Sequence, residues 1–219
     1  MGRSVDQRTE DSLPMRSFLN QWFEVLLAFP DLDDETVAAA RTAFLRAIRR
    51  HRGPDEREGQ WGWKNPRNMW VIPFYASVFP GLRFVHLIRD GRDMAVSDNN
   101  FLLETHGDRL LGPESRWRDD LVSAQLALWR IGNSRAAEAG AEYLGNNYMR
   151  LRYEDLCLRP AETVCGLLRF LGASVDRAPE LSSAIRPSAG IGRWRAADRR
   201  ELRDPGPALR AALHRFGYR

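Results

Sequence analysis

Lys64 is the single lysine among 33 basic residues. Everywhere else the chain writes arginine, so a compact, flexible ammonium is kept at one place. Such a point charge can reach a single oxygen or give up a proton, which a guanidinium does poorly. A second group of chemically able residues lies in RFVHLIRDGRDMAVS, 83–97. There an apolar run ends on Arg89, Asp90 can cap the next helix, Gly91 allows a tight turn, and Ser97 brings a hydroxyl eight residues after Arg89. A planar fork of donors beside a helix N-terminus and an alcohol is chemistry for holding an anion. On a helix over 91–103, Ser97 stands two turns from Asp90 on the same face and points at the same anion. The same residues also read as a cap with a surface pair, Arg92 or Arg89 with Asp93. The other strand ends tilt the balance toward the anion.

Those residues need strands to deliver them and helices to support them. Apolar positions at helical spacing predict a helix over 16–28, and Asp33 or Asp34 can cap a second one running to Arg50. The polar stretch 51–60 is a loop, and WGWK, 61–64, reads as a short strand. Pro66 suits the first turn of a helix that reaches Phe79 with a kink near Pro73 and ends at Pro80-Gly81. LRFVHLI, 82–88, is a near-continuous apolar run, as in a strand covered on both faces. After the helix 91–103 come a loop to 116, a long helix over 118–139 and a strand within 146–156. A helix from Pro160 to Leu171 follows, then helical pieces joined by the loop 186–195. Alternating strands and helices predict a helix-rich α/β fold with a mostly parallel sheet, helices on both faces and ligands at the carboxyl ends of the strands. The 219 residues read as one domain, with a helical N-terminal part over 1–58 and a core over 59–219.

Composition narrows the function classes. Hydrophobic residues make up 43%, enough for a packed core. A net charge of +4, with 29 acidic residues scattered among the arginines, is too mild for a dedicated nucleic-acid binder. No run approaches the roughly 18 apolar residues of a membrane span. Asp6, Glu10 and Asp11 do not fit a secretory signal, so the expected location is the cytoplasm. Cys157 and Cys165 lack metal-ligand spacing and read as small core residues, and no metal is expected. The GxxxxGK[ST] signature of P-loop kinases is absent.

The four segments WGWKNPR (61–67), RFVHLIRDGRDMAVS (83–97), YMRLRYEDL (148–156) with FLG (170–172), and IGRWR (191–195) with FGY (216–218) together resemble the superfamily of sulfotransferases that use 3′-phosphoadenosine 5′-phosphosulfate (PAPS). The RDGRD and GRWR wording is most similar to its bacterial branch. The resemblance implies a three-layer fold like that of P-loop NTPases and sulfuryl transfer from PAPS to a hydroxyl or amine, with 3′,5′-ADP (PAP) released. By the same resemblance Arg89 and Ser97 hold the 3′-phosphate, Tyr153 contacts the adenine, and Lys64 faces the sulfonate and its bridging oxygen. The loop 187–194 closes over the 3′-phosphate, with Ser188, Gly192 and Arg193 as candidates; its usual GxxG reads Ala189-Gly190-Ile191-Gly192, and Pro187 replaces a frequent basic residue.

Other roles stay open. Glu104 and His106, in the loop expected after the phosphate helix, are candidate bases for the acceptor's proton, or else solvated residues. His86 reads as a satisfied core histidine. Trp61, Trp63 and Trp70 line an acceptor pocket or pack the core. Glu154 and Asp155 cap or pair locally. The acceptor can be a small molecule, a carbohydrate or a lipid.

One departure is large. Family members begin with a strand and a PRSGTT-like loop whose amides wrap the 5′-phosphosulfate, and no such element precedes Lys64; Gly2-Arg3-Ser4 is a faint echo. Three explanations compete: a chain shortened at its start, a descendant acting as a nucleotide-binding or protein-interaction module without catalysis, or a neighbouring chain that supplies the missing piece. An exposed sheet edge would also favour self-association.

Overall fold

A computed structural model describes residues 13–53 and 60–219. The echo at Gly2-Arg3-Ser4 and most of the loop expected over 51–60 lie outside them. The chain divides into two compact units, one up to Pro80 and one from Gly81 on.

The first unit opens with α1 (Leu13–Leu26) and α2 (Asp34–Arg52). Asp33 caps α2 by accepting from the Thr36 amide at 2.7 Å, and that contact holds its carboxyl below the usual range. A 3-10 turn, Pro66–Trp70, is capped by Asn65, and α3 (Ile72–Val78) follows after a break at Val71. Pro73, which has no amide hydrogen, sits in the first turn of α3, so the expected kink becomes a full break. The core is aromatic: Phe44 meets Phe18 at 5.0 Å, Tyr75 at 4.9 Å and Trp63 at 5.8 Å. The strand expected over 61–64 is not formed. Trp63 packs on Phe44 and Tyr75, donating its indole proton to Asn68 Oδ1 at 3.2 Å, and no strand lies among the unit's described residues for it to pair with.

The second unit holds β1 (Phe84–Ile88), α4 (Gly91–Ala95), α5 (Phe101–Leu111), α6 (Leu121–Tyr143), β2 (Tyr148–Arg152), α7 (Tyr153–Leu158), α8 (Pro160–Leu171), α9 (Ala178–Ser183), α10 (Arg200–Arg203) and α11 (Pro207–Arg215). β1 and β2 pair in parallel, with Phe84 opposite Tyr148 and Ile88 opposite Arg152. They are the only strands among the described residues, so the observed sheet is smaller than expected while its parallel sense holds. Ile88 packs with Trp129 of α6, with Ala212 and Leu213 of α11, and with Phe216 and Tyr218 beyond it. Leu87 points the other way and is 50% exposed, so β1 is covered on one face and not on both.

The helix expected over 91–103 is two helices. α4 stops at Ala95 because Ser97 Oγ accepts the Asn99 amide and Asn99 Oδ1 accepts the Phe101 amide. These side-chain bonds compete with helical ones in the Ser-Asp-Asn-Asn run. Gln125 of α6 fixes the turn by donating to Asn99 O and Asn100 Oδ1 at 3.2 and 2.9 Å. The loop expected to 116 is therefore mostly α5. Further on, Asp120 caps α6 through the Val122 and Ser123 amides, and α8 runs from Pro160 to Leu171 as the sequence predicts.

Candidate functional site

Arg89 sits at the carboxyl end of β1, where the strand hands over to α4. Its own carbonyl accepts the Trp129 indole proton at 2.8 Å. Gly91 lies against the same indole, where a Cβ would come within 2.5 Å of the ring. The Arg89 guanidinium lies 5.2 Å from the centre of the Tyr153 ring, and its Nη2 donates to Gly190 O at 2.5 Å. Its Nε is buried and has no hydrogen-bond partner. Arg89 makes no ion pair with another described residue. Tyr153 follows β2 directly, so the parallel pairing of the strands brings both residues to one edge.

The neighbouring charges are accounted for. Asp90 accepts the Arg92 amide at 2.9 Å and grips the Arg92 guanidinium through two bonds of 3.0 and 2.8 Å. The pair is buried, with side chains 9% and 6% exposed, and Trp194 stacks over the guanidinium at 4.0 Å. Arg92 also donates to Arg219 O at 2.7 Å. The surface pair of Asp93 with Arg92 or Arg89 is not formed. Asp93 is buried and accepts backbone amides instead, those of Gly192 at 2.7 Å and Trp194 at 3.1 Å. Arg193 turns back to the Asp93 carbonyl with Nε at 3.0 Å and Nη2 at 2.7 Å. Ser188 Oγ accepts the Gly190 amide at 3.2 Å, which tightens the start of the same loop.

The structure thus brings Arg89, Tyr153, Ser188, Gly190, Gly192 and Arg193 into one cluster. Ser97 stands apart from the expected geometry. It lies in the turn after α4, not on a helical face two turns from Asp90, and its hydroxyl serves Asn99. Glu104 and His106 lie on α5 and not in a loop; Glu104 is exposed and His106 is 8% exposed, because positions two apart on a helix face different sides. Lys64 is exposed in the irregular segment before Pro66, in the first unit, and makes no hydrogen bond or ion pair with another described residue.

His86 is a satisfied core histidine. Asn133 donates its own amide to Trp129 O, so its Oδ1 faces His86 Nε2 at 2.9 Å and that nitrogen carries the proton. His86 Nδ1 then accepts from the Tyr148 hydroxyl at 2.6 Å. Burial lowers the His86 pKa to about 4 and pushes that of Tyr148 up to about 12. Trp63 and Trp70 belong to the packing of the first unit, Trp70 being 3% exposed.

Two residues with a large share in the site escaped the sequence reading. Glu154 does not act locally: it accepts the Asp90 amide at 2.9 Å and lies 2.9 Å from the Tyr218 hydroxyl, which also reaches Ile88 O at 3.0 Å. Asp155 does pair locally, with Arg159 at 3.0 Å. Asp93 was missed because its partners are backbone amides about a hundred residues away, which leave no side-chain signature. Among the described residues no helix is long and apolar enough to cross a membrane.

A family model described as the sulfotransferase family matches residues 5–177. The matched stretch contains Lys64, Arg89, Ser97 and Tyr153, starts well before residue 59 and stops short of the loop at 188–194. No curated protein and no solved structure matches the chain.

Proposed function

The chain belongs to the sulfotransferase family, and from that premise we propose that it moves a sulfuryl group from PAPS to a hydroxyl or amine of a small-molecule, carbohydrate or lipid acceptor. One observation carries this reading. Arg89, Tyr153 and the glycine loop, three segments far apart in sequence, meet around a guanidinium that has no carboxylate partner among the described residues and keeps a buried Nε unused. A buried donor without an acceptor is costly, and an anion with several oxygens removes that cost. The phosphate at the 3′ position of PAPS is such an anion, and the Tyr153 ring beside Arg89 is a surface for an adenine. PAPS bound there supplies a sulfuryl group: a bond forms from the acceptor atom to sulfur, the bond from sulfur to the 5′-phosphate breaks, and 3′,5′-ADP and the acceptor's proton leave.

The chain's own residues then have these roles. Arg89 anchors the 3′-phosphate, with the 188–192 backbone beside it. Lys64 neutralises charge on the leaving oxygen, as preorganised donors do. Ser97 is the weakest of the nucleotide residues, since its hydroxyl already has a partner. Of the two candidate bases, exposed Glu104 is better placed than buried His106 to meet an acceptor arriving from solvent. The parallel strand pair with α6 against it is consistent with a three-layer scaffold like that of P-loop NTPases.

A second reading has its own support. Among the described residues ahead of Lys64 there is no strand to carry a 5′-phosphosulfate loop. A module that retains the nucleotide half-site without catalysis fits that observation. Calorimetry with 3′,5′-ADP tests the shared core of both. Micromolar binding that disappears in Arg89→Ala supports the nucleotide site, and PAPS turnover then separates enzyme from module. Silence at millimolar nucleotide overturns the site.

A further inference from the structure

Asp93, in α4, is a carboxylate only 1% exposed. Burying it is unfavourable unless its lone pairs are used. They are used on one object. Oδ2 takes the Gly192 amide, Oδ1 takes the Trp194 amide, and the Asp93 carbonyl accepts from Nε and Nη2 of Arg193. All four bonds run from α4 to the loop about a hundred residues later. At its other end the loop is held by the Arg89 bond to Gly190 O. The segment 190–194 is therefore pinned at both ends to residues 89–93. Gly192, at φ 77, occupies a conformation that few side chains permit. Apolar packing would hold a loop against a short helix without fixing its amide directions. Two amides aimed at two carboxylate oxygens do fix them.

We propose that Asp93 is a positioning residue for nucleotide binding: it holds the loop 188–194 in the shape that sets the Gly190–Gly192 backbone and the Arg89 guanidinium against a 3′-phosphate. The proposal rests on the nucleotide reading of the site above. Asp90 neutralises Arg92, backbone amides satisfy Asp93, and the positive charges of Arg89 and of Arg193, which meets only a carbonyl, remain beside the loop. Without Asp93 the loop amides lose their acceptors and Gly190 loses its place over Arg89.

The test compares the full-length chain with Asp93→Asn and Arg193→Ala. Asp93→Asn turns one acceptor into a donor facing an amide. Arg193→Ala removes the two bonds to the Asp93 carbonyl and leaves the buried acid intact. Binding of 3′,5′-ADP and of 5′-AMP is measured by calorimetry or competition, and cleavage by trypsin after Arg195 is timed. Asp93→Asn is expected to weaken 3′,5′-ADP by at least about tenfold, the scale of a lost charge-assisted hydrogen bond, while 5′-AMP is unaffected. Arg193→Ala shows the same selective loss in smaller measure, and it decides the matter if Asp93→Asn does not fold. Faster cleavage after Arg195 accompanies the loss. Equal weakening of both nucleotides, or none, overturns the positioning role. If the unmodified chain binds neither nucleotide, the functional reading falls, and proteolysis alone judges the latch: unchanged cleavage in both variants overturns it.

Discussion

Lys64 and Gly190 carry the sharpest expectations at the level of single residues. Lys64 is exposed and touches no described residue by hydrogen bond or ion pair, so Lys64→Met should leave the melting temperature within about a degree, as for surface positions generally. The same change should lower PAPS-dependent transfer by roughly 10²–10³ if the ammonium meets the leaving oxygen. A parallel fall of fold and activity would mean that Lys64 has a structural task instead. Gly190 is constrained differently. A Cβ there would lie 2.5 Å from Arg89 Nη2, so Gly190→Ala must push the guanidinium off its perch. Loss of 3′,5′-ADP affinity by tenfold or more, with little change in stability, is expected from calorimetry and melting; unchanged affinity would remove the loop from the site. Sequence alone exposed Lys64 because it breaks an otherwise uniform arginine usage, and Arg89 because an apolar run ends on it. Asp93 and Glu154 stayed hidden because their partners are backbone groups or a distant phenol, and nothing in a local pattern records such a partner.

Strand β1 shows how an element can be read correctly and still mislead. Its apolar run marked a strand, and the strand is there, yet Leu87 is half exposed. The run length carries no information on how many faces a neighbour covers. The helix expected over 91–103 is broken for a related reason: Ser97 and Asn99 satisfy local amides with their side chains and stop it, and the polar Ser-Asp-Asn-Asn run at 97–100 is where that happens. α8, with Pro160 at its start and Gly172 past its end, has both boundary signals and was legible. β1 also contributes a pH dependence. His86 is neutral and bonded at both ring nitrogens, with its pKa lowered from the usual 6.5 to about 4 by burial. Below 6.5 the unfolded chain takes up the proton first. The contribution of the neutral ring is therefore complete above pH 6.5 and lost progressively down to pH 4, a total of about 3 kcal/mol. Urea titrations between pH 7 and 4 should show this decline, and His86→Gln should flatten it by close to one proton. Asp108 and Asp120, whose pKa values are lowered by hydrogen bonds, lose their contribution mainly below about pH 5, so the decline between pH 6.5 and about 5 reports His86 apart from them. An undiminished slope in His86→Gln would assign the decline to other groups.

For the molecule as a whole, charge placement matters more than net charge. Several surface arginines have acidic partners: Arg118 with Asp108, Arg210 with Asp204, Arg215 with Glu138. With 29 acidic residues against 33 basic ones, no shift of duplex DNA is expected at physiological salt. The uncompensated guanidinium of Arg89 acts on a smaller scale, that of one phosphate. Which phosphate it takes can be decided by asking how much of PAPS the chain recognises. Every residue of the described cluster belongs to the second unit and is proposed for the 3′ side. For the 5′ side Lys64 is proposed, and among the described residues no strand-borne glycine loop lies ahead of it, although the family match begins at residue 5. A full 5′ loop giving three charge-assisted bonds would separate 3′,5′-ADP from 3′-AMP by well over 10³ in affinity. With Lys64 alone the separation should stay near tenfold. Calorimetric titration of the full-length chain with both nucleotides measures the ratio directly. A ratio near ten means that nucleotide recognition is concentrated on the ribose phosphate at the tip of β1, and that Arg89→Ala removes nearly all of it. A ratio above 10³ means that a second phosphate site exists, and the half-site description must then be given up.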